Sequence, residues 1–127
     1  MSKKNKIVYV ALAADLLHEG HINILKIASK YGKVTVGLLT DNAIIEHDRL
    51  PHLDYKKRKQ IVSSLKYVSK IVKQKSYDHT ENLISLKPDY VVHGDDWKKG
   101  VLRKTRDGVV KVLKKWNGKL IEPPYTK

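Results

Sequence analysis

His18 and His21 lie on either side of Gly20, in a short turn near the start of the chain. An apolar run at 7–12 comes before the turn, and the apolar residues after it recur with helical spacing as far as Ala28. This pattern predicts that the turn opens a helix, with His21 at the head of its buried stripe. The first turn of a helix carries unpaired backbone N–H groups and the positive end of the helix dipole, both of which attract phosphate oxygens.

Each residue of this turn suits a phosphate site. Gly20 lets the backbone approach an anion because it has no Cβ. The two imidazoles can supply further N–H donors to charge that moves during phosphate chemistry. The alternative interpretation is that His21 caps a core stripe and His18 is an ordinary turn residue. The order of strand, turn, histidine pair and amphipathic helix favours the phosphate site.

Apolar runs alternate with helical patterns along the rest of the chain. They predict strands at 6–13, 33–39, 67–72 and 89–93 and a last strand beginning at 120, with helices between them. This alternation implies right-handed parallel crossovers. We therefore predict an α/β fold: a Rossmann-like, doubly wound parallel sheet of five strands, order 3-2-1-4-5, with helices on both faces.

A second polar group, Gly94, Asp95, Asp96 and Trp97, follows the predicted fourth strand. Ligands of open α/β sheets bind beyond the carboxyl ends of the strands, where the strand order reverses. In the order 3-2-1-4-5, the turns after strands one and four are neighbours, so this group would lie beside the histidine pair. A tight turn that caps a helix is the alternative interpretation.

Arg58 lies on the body-facing side of a predicted helix, because Ile61, Val62 and Leu65 continue its helical spacing. A guanidinium in that position either pairs with a carboxylate or binds a phosphate. Spacing alone does not choose between them. His47, His52, His79 and His93 are interpreted as loop or sheet-end residues, with His93 adjoining the pocket.

The formal net charge is +13, which suits nucleic acid, an anionic membrane or a polyanionic small substrate. The lysines are spread over several predicted helices, and aromatic residues make up 7% of the chain, with no Phe. No base-stacking platform accompanies the charge, so a nucleic-acid partner is not expected. We interpret the charge as a solvated surface that can also attract a nucleoside triphosphate.

A chain of 127 residues predicts one domain. It has no run of about 18 apolar residues, and the basic start leads directly into a strand, so neither a membrane span nor a signal peptide is expected. The absence of Cys excludes a disulfide framework and a thiolate metal site, and fits a cytoplasmic location.

The segment DLLHEGHINILKIA resembles the His-x-Gly-His signature of the nucleotidyltransferase superfamily. Within it, the segment resembles especially the cytidylyltransferases that act on glycerol 3-phosphate, phosphocholine and phosphoethanolamine. VVHGDDW resembles the Gly-Asp-Asp-Trp stretch of the same branch, and LDYKKRKQIVSSLKYV resembles its Arg-bearing helix. LAADLLHEGHINI and KPDYVVHGDDWK are more similar still to cytidylyltransferase-like domains associated with phosphonate biosynthesis.

The resemblance implies transfer of a cytidylyl group from CTP to a small phosphorylated or phosphonate alcohol or amine, with release of pyrophosphate. Mg²⁺ would arrive with the nucleotide, no metal site on the protein itself is implied, and a homodimer is expected. Catalysis would be positioning and electrostatics, without a covalent intermediate. By position, the implied catalytic residues are His18, His21 and Arg49; the nucleotide-binding residues are Leu12, Ala13, Asp15, Gly20, Gly94, Asp96 and Thr126; and the substrate-binding residues are Arg58, Lys66, Asp95 and Trp97.

Two departures from the family pattern bear on activity. Leu12, Ala13 and Ala14 stand where the family has Gly-Thr/Ser-Phe, so a hydroxyl and a glycine are missing. The family's Arg-Thr-x-Gly-Ile-Ser-Thr segment is matched only around Thr126, so we expect residues 1–127 to be a single domain truncated before that segment. A catalytically impaired nucleotide-binding or regulatory domain is therefore the alternative. A zinc hydrolase is disfavoured, because zincin histidines are spaced i, i+4 on a continuous helix.

Overall fold

The computed structural model describes residues 6–47, 50–97 and 102–124. Within them, strands and helices alternate as the apolar pattern predicts. The strands are β1 (Ile7–Leu12), β2 (Lys33–Leu39), β3 (Val68–Gln74), β4 (Tyr90–Val92) and β5 (Lys119–Ile121). The helices are α1 (Glu19–Ser29), α2 (Asp41–His47), α3 (Tyr55–Ser63), α4 (Thr80–Leu86) and α5 (Arg103–Leu113), with short 3₁₀ turns at Asp95–Trp97 and Lys114–Trp116.

The five strands form one parallel sheet in the order β3-β2-β1-β4-β5. The predicted strand order and α/β fold class are confirmed. β1 is central, pairing with β2 on one side and β4 on the other. The strand order reverses at β1, so the carboxyl ends of β1 and β4 mark the place where a ligand is expected.

The core lies on both faces of this sheet, as successive side chains of β1 point to opposite sides. Val8, Val10 and Leu12 pack with residues of α1 and α3 on one face. Tyr9 packs on the other face with residues of α4, α5 and β4. Helices therefore cover both faces, and a ligand at the carboxyl edge can be reached by side chains from either layer.

The hydroxyl of Tyr9 connects β1 to β3 and α4. Its hydroxyl donates a hydrogen bond to Gln74 Oε1 and accepts one from Asn82 Nδ2 at 2.9 Å. Gly37 of β2 makes room for that hydroxyl, because a Cβ at Gly37 would lie 1.7 Å from it. Burial raises the pKa of Tyr9, so the hydroxyl keeps its proton. Gln74 is thereby fixed at the carboxyl end of β3.

None of the helices in the described part of the chain has the length and apolar content needed to cross a lipid bilayer.

Candidate active site

A cavity of about 310 Å³ lies at the carboxyl ends of the strands. The predicted site residues that line it come from three turns. The carboxyl end of β1 and the turn after it supply Leu12 and Ala13, the start of α1 supplies His18, Gly20 and His21, and the turn after β4 supplies Gly94 and Trp97. The structure thus brings the two predicted motifs to one hollow, where a shared ligand can contact both.

The histidine pair forms the cap of α1. His18 is the N-cap residue, and its Nδ1 accepts a hydrogen bond from the Gly20 N–H at 2.9 Å. His21 Nδ1 accepts one from the His18 N–H at 3.2 Å, and the two ring centroids are 4.1 Å apart. Two imidazoles therefore replace the Ser/Thr and Glu/Gln of an ordinary capping box. Sequence reasoning placed both residues at the helix start but missed this pairing.

The cap changes which atoms can bind an anion. The N–H groups of His18 and Gly20 are already bonded to imidazole nitrogens, so they are less available to phosphate than the sequence interpretation assumed. Because each Nδ1 accepts a hydrogen bond, a neutral ring carries its proton on Nε2. The helix therefore presents two Nε2–H donors at the cavity, together with the positive end of its dipole.

His21 is half-buried, whereas His18 is exposed. Burial lowers the pKa of His21 below its ordinary value of 6.5, and the neighbouring His18 lowers it further. His21 is therefore predominantly neutral at pH 7. A neutral imidazole donates one hydrogen bond through Nε2 without carrying a full charge, which suits an oxygen whose negative charge grows in a transition state.

Asp15 is not among the residues that line the cavity. Its carboxylate is 3% exposed, and it accepts hydrogen bonds from the backbone N–H of His52 at 2.8 Å and of Leu53 at 2.9 Å. The carboxylate thus ties the turn after β1 to the loop before α3. In this structure Asp15 holds the loop against the carboxyl ends of the strands, and its implied nucleotide-binding role stays a prediction.

Arg58 is fully buried in α3, and its guanidinium is occupied within the protein. It pairs with Asp41 at 2.6 Å and donates to the carbonyl oxygens of Ala13, Leu39 and Leu53 at 2.8, 2.6 and 2.9 Å. The ion-pair alternative is therefore the one observed. No face of the guanidinium is exposed in this arrangement, and Arg58 fixes the ends of β1 and β2 beside the cavity. Its implied substrate-binding role stays a prediction.

Lys66 is also far from the candidate site. It is exposed and precedes β3, with its Nζ 5.2 Å from the ring centroid of Tyr67. The carboxyl end of β3 lines the cavity through Gln74. Lys66 therefore lies at the amino end of β3, away from this cavity, and its implied substrate-binding role stays a prediction.

Trp97 forms part of the cavity floor under His93. The two rings are stacked, with centroids 3.6 Å apart and an angle of 5° between their planes. Trp97 is 1% exposed, and its Nε1–H donates to Glu122 Oε2 at 2.8 Å, an oxygen that also accepts from Arg106 Nε at 2.7 Å. Because the indole is buried and bonded to Glu122, His93 is better placed than Trp97 to contact a ligand.

Four other predicted positions are not placed at the cavity by the described residues. The backbone N–H of Asp95 donates to Pro123 O at 3.2 Å, and Asp95 is not among the residues lining the cavity. Asp96 is described only as part of its 3₁₀ turn. Arg49 and Thr126 lie outside the described residues, so their implied roles stay predictions.

His79 is the main cavity residue that sequence reasoning missed. It lies in the turn before α4, as a loop residue should, but it packs edge-on to Tyr9 with the ring centroids 6.0 Å apart. Its Nδ1–H donates to Tyr77 O at 2.9 Å. Burial lowers the pKa of His79 to about 4, and the nearby His93 adds to this effect. The sequence signal that could have identified His79 is its position after β3, because the turns after parallel strands lie at the same edge of the sheet.

The pKa of His79 predicts an acid-sensitive fold. In the unfolded chain this histidine titrates near pH 6.5, so between pH 6.5 and 4 the unfolded state binds more protons than the folded state. The stability that the neutral ring contributes is present above pH 6.5 and is lost as the pH falls to 4, by roughly 3 kcal/mol in the free energy of unfolding. Urea denaturation at pH 7, 6, 5 and 4 measures this loss. A His79→Phe variant with an undiminished pH slope would contradict the assignment.

The sequence of this chain matches a known protein family. The model of the cytidylyltransferase-like family matches residues 13–119. The chain belongs to that family. The resemblance to the nucleotidyltransferase superfamily and its cytidylyltransferase branch is confirmed, and the domain is a nucleotidyltransferase.

Two curated relatives and one solved structure are similar to this cytidylyltransferase-like domain. An FAD synthase of Archaeoglobus fulgidus is 31% identical over 96 residues, which cover 71% of this chain and 70% of the relative. Glycerol-3-phosphate cytidylyltransferase of Bacillus subtilis is 31% identical over 86 residues, covering 66% and 67%. The crystal structure of a lipopolysaccharide core biosynthesis protein from Thermoplasma volcanium has a TM-score of 0.81 at 24% identity, covering 96% of this chain and 98% of that one, and supports the fold alone.

Proposed function

We propose that this domain transfers a cytidylyl group from CTP to a small phosphorylated or phosphonate alcohol or amine and releases pyrophosphate. The observation that carries this proposal is the paired Nε2–H donors of His18 and His21 at the mouth of the cavity. Two donors beside a helix N-terminus suit a polyphosphate. Membership of the cytidylyltransferase-like family supports the choice of reaction.

The proposed chemistry is an in-line displacement at the α-phosphorus of the nucleotide. A phosphate or phosphonate oxygen of the acceptor forms the new P–O bond as the bond to the bridging oxygen breaks, and pyrophosphate takes the electron pair. His18 and His21 hold non-bridging oxygens and stabilise the charge that gathers on them. The buried contacts of Arg58 and Asp15 keep the surrounding backbone in place, so that little reorganisation accompanies the step.

Mg²⁺ is proposed to arrive with the nucleotide. Among residues 6–47, 50–97 and 102–124, no group of three or more His, Cys, Asp or Glu side chains is placed to hold a metal ion. The cavity offers imidazole nitrogens, whereas Mg²⁺ prefers oxygen ligands and usually binds through substrate phosphates. These residues therefore fit the phosphates of a metal–nucleotide complex, and Mg²⁺ would supply charge neutralisation there.

ATP is the second candidate nucleotide. The FAD synthase relative supports it, because FAD contains an adenylyl group. Leu12 and Ala13 replace the glycine and the hydroxyl residue of the family's turn. The third candidate is therefore a domain that binds nucleotide without turning it over.

A pyrophosphate-release screen tests the proposal. CTP and ATP are each combined with glycerol 3-phosphate, phosphocholine, 2-aminoethylphosphonate, 2-hydroxyethylphosphonate and flavin mononucleotide, with Mg²⁺ present. We expect release with CTP and at least one of the four small acceptors. Release only with ATP and flavin mononucleotide would support the second candidate. If calorimetry shows that CTP binds but no pair of substrates releases pyrophosphate, the result would indicate a domain that binds nucleotide without catalysing transfer.

A further inference from the structure

His79, one of the residues that line the cavity, has a buried ring nitrogen that forms no hydrogen bond within the described part of the chain. His79 is 4% exposed, and its Nε2 has no partner among residues 6–47, 50–97 and 102–124. Three aromatic rings lie near the imidazole of His79, whose ring centroid is 6.0 Å from that of Tyr9, 5.6 Å from that of Trp97 and 6.4 Å from that of His93. A buried polar atom that lacks a hydrogen bond is costly, and such an atom beside a cavity calls for a partner.

The chemistry of that atom follows from the other side of the ring. Nδ1 lies 2.9 Å from Tyr77 O, and a carbonyl oxygen can only accept, so Nδ1 carries the proton. The ring is neutral at pH 7, because burial and the nearby His93 hold its pKa near 4. Nε2 of His79 therefore carries a lone pair and can accept a hydrogen bond, but cannot donate one.

The cavity thus has two walls of opposite hydrogen-bonding character. The histidine pair belongs to α1, which covers the sheet face opposite to that of Tyr9, and it presents N–H donors. His79 packs on the Tyr9 face and presents an acceptor. Phosphate oxygens suit the first wall and are repelled by the lone pair at the second. A hydroxyl or amino group has the opposite preference.

We propose that His79 Nε2 accepts a hydrogen bond from a hydroxyl or amino group of a substrate held in this cavity, and so selects substrates that carry such a donor. The inference rests on the proposed function, because it takes the ligands to be a nucleotide and a small acceptor. The donor belongs to the acceptor or to the nucleoside. Nε2 is covered by neighbouring side chains, so contact needs a side-chain adjustment of the kind that often accompanies binding.

Two variants isolate the nitrogen. His79→Phe keeps a ring of similar shape but removes both nitrogens, and His79→Asn keeps a donor near Tyr77 O while removing Nε2. His52→Asn, at an exposed histidine that does not line the cavity, is the matched control. Each protein is checked by thermal unfolding before use.

The measurement compares kcat/KM for substrates with and without the donor. The acceptor arm uses 2-hydroxyethylphosphonate and 2-aminoethylphosphonate against ethylphosphonate, and the nucleotide arm uses CTP against its 2′-deoxy and 3′-deoxy analogues. We expect the wild-type protein and His52→Asn to prefer the donor-bearing substrate in one arm by about tenfold, the value of one hydrogen bond. Both His79 variants should lose that preference. The arm in which it is lost shows whether the hydrogen-bond donor belongs to the acceptor or to the nucleoside.

Preferences that are equal in wild type and in both His79 variants, in both arms, would overturn the inference. Failure of the proposed function gives a different result, namely no pyrophosphate release by wild type with any pair. In that event, calorimetric dissociation constants for the same compounds replace kcat/KM. A tenfold preference that disappears in the His79 variants then still supports the contact, and its absence still overturns it.

Discussion

Replacement of His21 by alanine is expected to lower turnover by about 10²–10³-fold while the domain remains folded. The substitution removes one of the two Nε2–H donors at the cavity, and with it the stabilisation of charge that gathers at the α-phosphorus. It also removes the Nδ1 that accepts from the His18 N–H, which should lower stability by about 1 kcal/mol, as for the loss of other helix caps. Pyrophosphate release from CTP with the best acceptor of the screen measures turnover, and thermal unfolding measures the second effect.

Glu19→Gln is the matched control for this experiment. Glu19 lies between the two histidines and is exposed, and it does not line the cavity. We expect Glu19→Gln to retain turnover within about threefold, a free-energy difference below 1 kcal/mol. Pyrophosphate release that is unchanged in His21→Ala would count against a role for the pair in the reaction.

Replacement of Arg58 by alanine is expected to lower the free energy of unfolding by about 3–5 kcal/mol. The variant leaves the carbonyls of Ala13, Leu39 and Leu53 without their guanidinium donor and leaves Asp41 without its partner. That loss is a large fraction of the 5–15 kcal/mol that stabilises a typical domain. The midpoint of urea denaturation measures it.

Lys59→Ala supplies the comparison on the same helix. Lys59 is exposed one residue after Arg58, so its removal should change stability by no more than about 0.5 kcal/mol. A loss below 1 kcal/mol in Arg58→Ala would show that the buried network contributes little. Arg58→Lys should recover only part of the stability, because one ammonium group cannot reach four acceptors arranged around a planar fork.

The position of the site was predictable from the sequence because it depends on connectivity. Alternating apolar runs and helical patterns require parallel crossovers, and parallel crossovers put the turn after β1 beside the turn after β4. The histidine pair and Gly94 therefore meet at one cavity, as expected. The observed β3, Val68–Gln74, begins one residue later and ends two residues later than the predicted 67–72, and this difference does not disturb that arrangement.

The partners of the polar side chains were not predictable in the same way. Helical spacing placed Arg58 on the inner face, but its contacts with Asp41 and Ala13 join residues 17 and 45 positions apart. The contact of Asp15 with the His52 N–H spans 37 positions. Family likeness assigned Arg58 and Asp15 to ligands, whereas their burial leaves them bonded to the protein itself.

The sequence by itself determined the α/β fold, the strand order and the meeting of two motifs at the sheet edge, because periodicity and chain direction carry that information. Only the tertiary structure decided which nitrogen of each cavity histidine is hydrogen-bonded within the protein and which charged residues are internal. It also decided that His79, from a turn after the edge strand β3, reaches Tyr9 of the central strand. The physical reason is that a hydrogen bond requires atoms within about 3 Å with the correct direction, and such placements depend on packing between segments distant in sequence.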